Sequence, residues 1–136
     1  MIVLDACVLI AHLDESDIFH EDSDTLLGSV ADEPLGASAI TLAEVLVGPA
    51  RAGRLDQATA ALAQLEVAAI ALGADAPARL ATLRAGTSLK LPDCCVLLAA
   101  EQKGGAAVAT FDDRLATAAR NRGFRVLGSR PRRESP

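Results

Sequence analysis

The spacing of hydrophobic positions changes character repeatedly along this chain. Ile2-Val3-Leu4 is a short continuous apolar run and reads as a buried strand, and Ala6 to Leu13 continues as an apolar helix. Phe19 to Val30 predicts a second helix, with Leu26, Leu27 and Val30 at helical spacing. Pro34 breaks it, and Leu35-Gly36-Ala37 gives a short strand. Ser38 is placed to cap the next helix, which is expected to run to about Val47 and stop at Gly48-Pro49. Arg54 to Leu65 is amphipathic, Val67 to Leu72 is a third strand, and Ala76 to Ala85 is a helix ended by Gly86. Pro92 then stands where a first helical residue belongs. The helix from there to Lys103 is apolar nearly all round, through Cys94, Cys95, Val96, Leu97, Leu98, Ala99 and Ala100, so it must be buried. Gly104-Gly105 ends it. Ala106 to Ala109 is a fourth strand, Asp112 to Arg122 a helix closed by Gly123, and Phe124 to Leu127 a last strand.

Strands therefore alternate with helices throughout. Such a pattern requires parallel pairing through crossovers, hence an α/β sandwich whose central parallel sheet of four to five strands carries helices on both faces. Residues 1–128 are expected to form one domain, and residues 129–136 a disordered basic tail. Ligands of such sheets bind outside the carboxyl ends of the strands, which is where chemistry is to be sought.

The chain has 136 residues, 51% of them apolar, enough for a real core built mostly from Ala, Leu and Val. Aromatics are 2%, with no Trp or Tyr, which argues against reading single strands by stacking bases on aromatic platforms. Net charge is −5, but its distribution is uneven. Residues 14 to 24 hold six acids, and the end of the chain holds Arg114, Arg120, Arg122, Arg125, Arg130, Arg132 and Arg133. The basic end reads either as a phosphate-facing surface or as solvated helix faces paired with those acids. The three cysteines, Cys7, Cys94 and Cys95, form neither a disulfide framework nor a zinc motif with His12 and His20, and read as small buried hydrophobes of a reducing compartment. With no leader pattern and no run long enough to span a bilayer, the expectation is a soluble, cytoplasmic protein.

Four carboxylates stand in apolar company. Asp5 falls at the carboxyl end of the first strand, and Asp112 just past that of the fourth. Each also suits a helix N-cap. Glu44 has Ile40, Thr41, Val47 and Gly48 as its helical neighbours, which predicts a half-buried cleft. Asp93 opens the most buried helix, whose N-terminus should keep it ionised. Gathered at one sheet edge, such groups cannot all ionise without countercharge. A hard divalent cation supplies it, and that arrangement suits phosphodiester hydrolysis.

At these residues the chain resembles the PIN-domain nucleases, and more closely the VapC ribonuclease toxins of toxin–antitoxin pairs. The matching stretches are Ile2 to Ile10, Ser38 to Pro49, Leu91-Pro92-Asp93, and Ala109 to Leu115. The resemblance implies a three-layer PIN-like sandwich, a Mg²⁺- or Mn²⁺-dependent endoribonuclease acting on RNA, a homodimer and a small antitoxin partner. By position Asp5, Glu44, Asp93 and Asp112 would be the acidic quartet that holds the metal. Thr110 would be the hydroxyl that helps order it, and Asp113 stands beside Asp112 to share or take its role. Arg114, Arg120 and Arg122 are the candidate RNA-binding residues. One position departs from the pattern: the family usually has Ser, Thr or Asn two residues after the first Asp, where this chain has Cys7, a weaker hydrogen-bond partner.

Other readings compete. A metal-dependent phosphatase would follow the first strand with two Asp separated by one residue, and Asp5-Ala6-Cys7 lacks the second. A receiver-type signalling domain needs adjacent acids near the start, where Asp5 stands alone. A catalytically inactive module whose acidic cleft docks a basic partner segment keeps the same residues without the chemistry.

Overall fold

A computed structural model describes residues 1–129. Arg130, Arg132 and Arg133, part of the expected tail, lie outside the described residues. Five strands, β1 (Ile2–Leu4), β2 (Leu35–Ser38), β3 (Val67–Ile70), β4 (Ala107–Ala109) and β5 (Arg125–Leu127), pair in parallel in the order β3-β2-β1-β4-β5. Seven helices connect them: α1 (Ala6–Leu13), α2 (His20–Ser29), α3 (Ala39–Arg51), α4 (Leu55–Gln64), α5 (Ala76–Gly86), α6 (Leu91–Gln102) and α7 (Asp113–Asn121).

The two-residue period of the strands splits the core in two. Ile2 and Leu4 of β1 and Ala107 and Ala109 of β4 face one side, with Val8 and Leu9 of α1 and Leu26 and Leu27 of α2. Val3 and Val108 face the other, against Val96, Leu97 and Leu98 of α6 and Leu115 of α7. Helices on both faces of a parallel sheet are the sandwich expected from the alternation. Gly36 in β2 is closely packed: a Cβ there would stand 2.7 Å from Cδ1 of Ile70 and 2.9 Å from Sδ of Met1, so a larger residue would make those two side chains shift.

Three local features depart from the sequence reading. The helix expected to stop at Gly48-Pro49 continues to Arg51 with Pro49 inside it. Pro49 lies in the last turn, where the missing N–H removes a single hydrogen bond. β3 ends at Ile70 rather than Leu72, and being the edge of the sheet it buries only Ile70 fully. α2 begins one residue late and ends one early. Among the described residues no helix is long and apolar enough to cross a membrane.

The strand order fixes where a ligand can bind. From β1 the chain moves outward through β2 and β3, then returns to place β4 on the other side of β1. The order therefore reverses between β1 and β4, and the crevice at their carboxyl ends is the switch point of the sheet.

Candidate active site

Asp5 leaves β1 directly at that switch point. Its backbone N–H donates to the carbonyl of Ala109 at 2.9 Å, which extends the β1–β4 ladder by one residue and brings Asp5 beside Thr110. Asp5 is the N-cap of α1: Oδ1 accepts from the Ala6 N–H at 2.8 Å. Oδ2 accepts from the Thr110 hydroxyl at 2.7 Å and from the Cys7 thiol at 3.1 Å. The side chain is buried, only 7% exposed, so the capping role and a place at the crevice are held by the same carboxylate.

Asp112 reaches the crevice from β4. It caps α7, with Oδ1 accepting from the N–H groups of Arg114 (2.8 Å) and Leu115 (3.0 Å). Its own N–H donates to Thr110 Oγ1 at 3.0 Å. Thr110 is thus a bridge between the two strand-end acids. Phe111 lies between them, stacked on Phe19 with ring centroids 4.8 Å apart, which ties the β4–α7 turn to the start of α2. Gly128 passes so close that a Cβ would stand 2.8 Å from the Thr110 carbonyl, and its φ of +93° suits glycine.

Asp93 is in the first turn of α6 and half-buried, and its carboxylate makes no hydrogen bond or ion pair among the described residues. A cavity of about 400 Å³ is lined by Asp93, Asp112 and Asp113 together with Lys90 and Arg114. Burial first, then the charges of Asp5, Asp112 and Glu44, push the Asp93 carboxyl up to about 6. Desolvation and three neighbouring acids thus work against the helix N-terminus, and at about 6 the carboxyl is still largely ionised at neutral pH. Asp5, Asp112 and Glu44 are thus near enough for their charge to bear on Asp93. Glu44 feels it too, raised by desolvation and by Asp5.

Glu44 is solvent-exposed rather than half-buried. Its apolar neighbours Ile40 and Val47 are themselves 48% and 45% exposed, whereas Thr41 and Val45 carry the buried face of α3. It lines a different cavity from Asp93, beside Ile10, Leu13 and Gly48, yet the Asp5 charge raises the carboxyls of both.

Cys7 does more than its weak donor suggests. Its sulfur accepts from the Phe111 N–H at 3.4 Å and lies 3.7 Å from Thr110 Oγ1, while the thiol donates to Asp5. Burial, then the Asp5 charge, push the thiol up to about 12, so it remains a protonated donor. Sequence reasoning missed this contact and also Lys90, whose only signal was a cation three residues before Asp93. Cys94 and Cys95 are buried in the core as expected.

The arginines separate from the acids of residues 14 to 24. Among the described residues Arg120 donates to the Ser129 carbonyl at 2.8 Å, Arg122 pairs with Glu101 at 3.4 Å, and Arg114 makes no ion pair. Asp24 is taken by His12 and His20 instead.

As the side chains stand, no group of three or more His, Cys, Asp or Glu among the described residues forms a ready cage for a metal ion. The donors nevertheless fit a hard divalent cation. They are carboxylate oxygens, Asp93 and Glu44 have no protein partner, and Mg²⁺ sites commonly use one or two carboxylates completed by water and substrate phosphate.

The family model described as PIN domain matches residues 2–121. No curated protein matches the sequence. Among solved structures, the chain is similar to VapC20 of Mycobacterium tuberculosis, described as a sarcin-ricin loop cleaving toxin, with 20% identity and a TM-score of 0.74 over 96% of this chain and all (100%) of that one. A chain of a toxin-antitoxin complex from Klebsiella pneumoniae is 24% identical, with a TM-score of 0.70 over 85% of this chain and 91% of that one. FitAcB from Neisseria gonorrhoeae is 26% identical, with a TM-score of 0.65 over 93% and 96%.

Proposed function

The chain belongs to the PIN-domain family, and on that premise we propose that it is a metal-dependent endoribonuclease, the toxin of a toxin–antitoxin pair. One observation carries the reading: Asp93, half-buried and without a protein partner, stands among the charges of Asp5, Asp112 and Glu44 at the switch point of the sheet. A group so placed needs a cation.

Asp5, Glu44, Asp93 and Asp112 would hold Mg²⁺ or Mn²⁺, which when bound supplies the charge that makes water nucleophilic at neutral pH and steadies the leaving oxygen. The chain's own residues do the rest. Thr110 fixes Asp5 and the Asp112 backbone in one frame. The Cys7 thiol holds Asp5 Oδ2 from a second direction. Asp113, beside Asp112 on the same cavity wall, adds negative charge, and Lys90 and Arg114 at its rim offer cations to a phosphate. The substrate is RNA, by the activity that the VapC20 description gives.

A small antitoxin and a second copy of the chain belong to the same reading. The Klebsiella pneumoniae relative is a chain of a toxin-antitoxin complex, and Ile10, Ile40 and Val47 leave apolar surface on α1 and α3 for a partner to cover.

Cleavage of RNA by the purified protein in Mg²⁺ or Mn²⁺, lost on chelation, tests the proposal. Asp93→Asn keeps side-chain volume and removes the charge, so it should abolish cleavage with an unchanged circular dichroism spectrum. An Asp93→Asn protein that cleaves at the original rate with the same metal response would remove Asp93 from the site, and an unsubstituted protein inert in both metals would favour the docking module.

A further inference from the structure

Beside the acidic cavity lies a larger one of about 820 Å³, between α7 and the loop joining α5 to α6. The two share Ser88, Leu89, Asp113 and Arg114, so they form one continuous groove. Its charge changes sign along its length. The larger part is lined by Arg114, Arg120 and Arg122 against the single acid Asp113, while the smaller adds Asp93 and Asp112. In a chain of net charge −5, three guanidinium groups on one concave wall form a local site for anions.

We propose that this groove is the track along which single-stranded RNA reaches the acidic edge, with Arg114, Arg120 and Arg122 holding successive phosphates. This rests on the ribonuclease reading above. Arg114 is exposed, makes no ion pair among the described residues, and touches both parts of the groove, so it stands next to the phosphate to be cut. Arg122 leans on one oxygen of Glu101 at 3.4 Å, a carboxylate it shares with Arg79 at 2.8 Å, and this contact uses one guanidinium nitrogen and leaves its other donors. Arg120 spends one nitrogen on the Ser129 carbonyl, which orients the fork and leaves its remaining donors. Ser88, Thr117 and Asn121 line the same wall with side-chain polar groups that make no hydrogen bond among the described residues. A single strand is the form committed to, since RNA is read mainly where it is single-stranded. The groove has no aromatic side chain, so it grips backbone rather than bases.

The test is affinity for a labelled single-stranded RNA oligonucleotide, measured by anisotropy over a series of KCl concentrations in chelator, so that cleavage does not interfere. Each of Arg114→Ala, Arg120→Ala and Arg122→Ala should flatten the plot of log affinity against log salt by about 0.7, the value for one lost phosphate contact to a single strand. Arg122→Lys keeps the charge and should keep the slope. Arg51→Ala, at the far end of α3, should leave it unchanged. Arg114 and Arg122 are exposed, so their variants report even if Arg120→Ala unfolds when its Ser129 contact is lost. Slopes parallel to the unsubstituted protein in the Arg114 and Arg122 variants, an equal effect of Arg51→Ala, or no salt-dependent RNA binding at all would overturn the track. Cleavage of the same oligonucleotide in Mg²⁺ separates the two ideas. Flattened slopes without cleavage keep the groove and remove the enzyme, and cleavage with parallel slopes does the reverse.

Discussion

Thr110 turns one hydroxyl into two hydrogen bonds, donating to Asp5 and accepting from the Asp112 N–H. Because it is fully buried, water cannot replace it. Thr110→Val preserves the shape and removes both bonds, leaving a buried acceptor and a backbone donor short of a partner. The expected cost is about 1–3 kcal/mol, read from denaturant melts, with at least a roughly tenfold fall in RNA cleavage from misplaced acids. Cys7 presents the opposite case. Its thiol is pushed up to about 12 by burial and by Asp5, so it is a held donor and not a nucleophile. Iodoacetamide at about pH 8 should leave Cys7 unlabelled in the native protein and label it on unfolding, as read by peptide mass spectrometry. Cys7→Ser offers Asp5 a stronger donor in the same place and should retain cleavage, whereas fast native labelling would mean that Asp5 does not hold the thiol. From the sequence Cys7 reads only as a departure from the family pattern, because the partners that define it, Thr110 and Phe111, lie more than a hundred residues away along the chain.

α6 is the centre of the core on one face of the sheet and carries a residue of the proposed site. It runs buried from Cys94 to Ala100, touches α3, α5 and three strands, and presents Asp93 from its first turn. Leu97 is fully buried within it. Leu97→Ala should cost about 2–5 kcal/mol in denaturant melts, the range for a core Leu whose cavity the surroundings do not refill. A cost under about 1 kcal/mol would mean that the helix is not the packed centre of the molecule. This helix was the most legible element, since an apolar run with no polar face has only one place to go. The five strands and seven helices among the described residues were likewise readable, because short apolar runs bounded by turn residues and longer helical spacing leave different marks. What failed did so for identifiable reasons. Pro49 looked like a helix stop, but α3 carries it two residues before its end at the loss of one hydrogen bond. Glu44 looked half-buried because its neighbours are apolar, yet Ile40 and Val47 face solvent alongside it. Apolar company signals burial only when the company itself is buried. The strand-end acids were legible as a set because parallel topology sends every strand's carboxyl end to one edge. The groove beside them was not, since it depends on how α7 packs against the α5–α6 loop.

At the scale of the whole molecule, the acidic edge makes folding depend on pH and on divalent cation together. The Asp93 carboxyl sits at about 6 in the folded protein, above its ordinary value of 3.8. The folded state therefore binds that proton more tightly than the unfolded state does. Its stabilising contribution is fully present below the unfolded value and is lost as pH rises through the folded one. Glu44, raised in the same direction by desolvation and by Asp5, adds to the trend. Above that window the fold carries a charged Asp93 against its desolvation and then the repulsion of its neighbouring acids, together a cost on the order of 1–2 kcal/mol once solvent access to Asp93 is allowed for. A divalent cation offsets the repulsion only when the carboxylates are charged. Mg²⁺ should therefore raise the melting temperature more at about pH 8 than at about pH 5, by roughly 3–5 °C for each kcal/mol recovered. Asp93→Asn in chelator should melt higher than the unsubstituted protein at the upper pH, converge with it at the lower, and gain less from Mg²⁺. Differential scanning fluorimetry of the two proteins, with and without Mg²⁺ at both pH values, checks all three relations. A Mg²⁺ shift of equal size at both pH values, or an Asp93→Asn protein that gains as much as the original, would mean that the cation binds elsewhere and that Asp93 owes its raised carboxyl to burial alone.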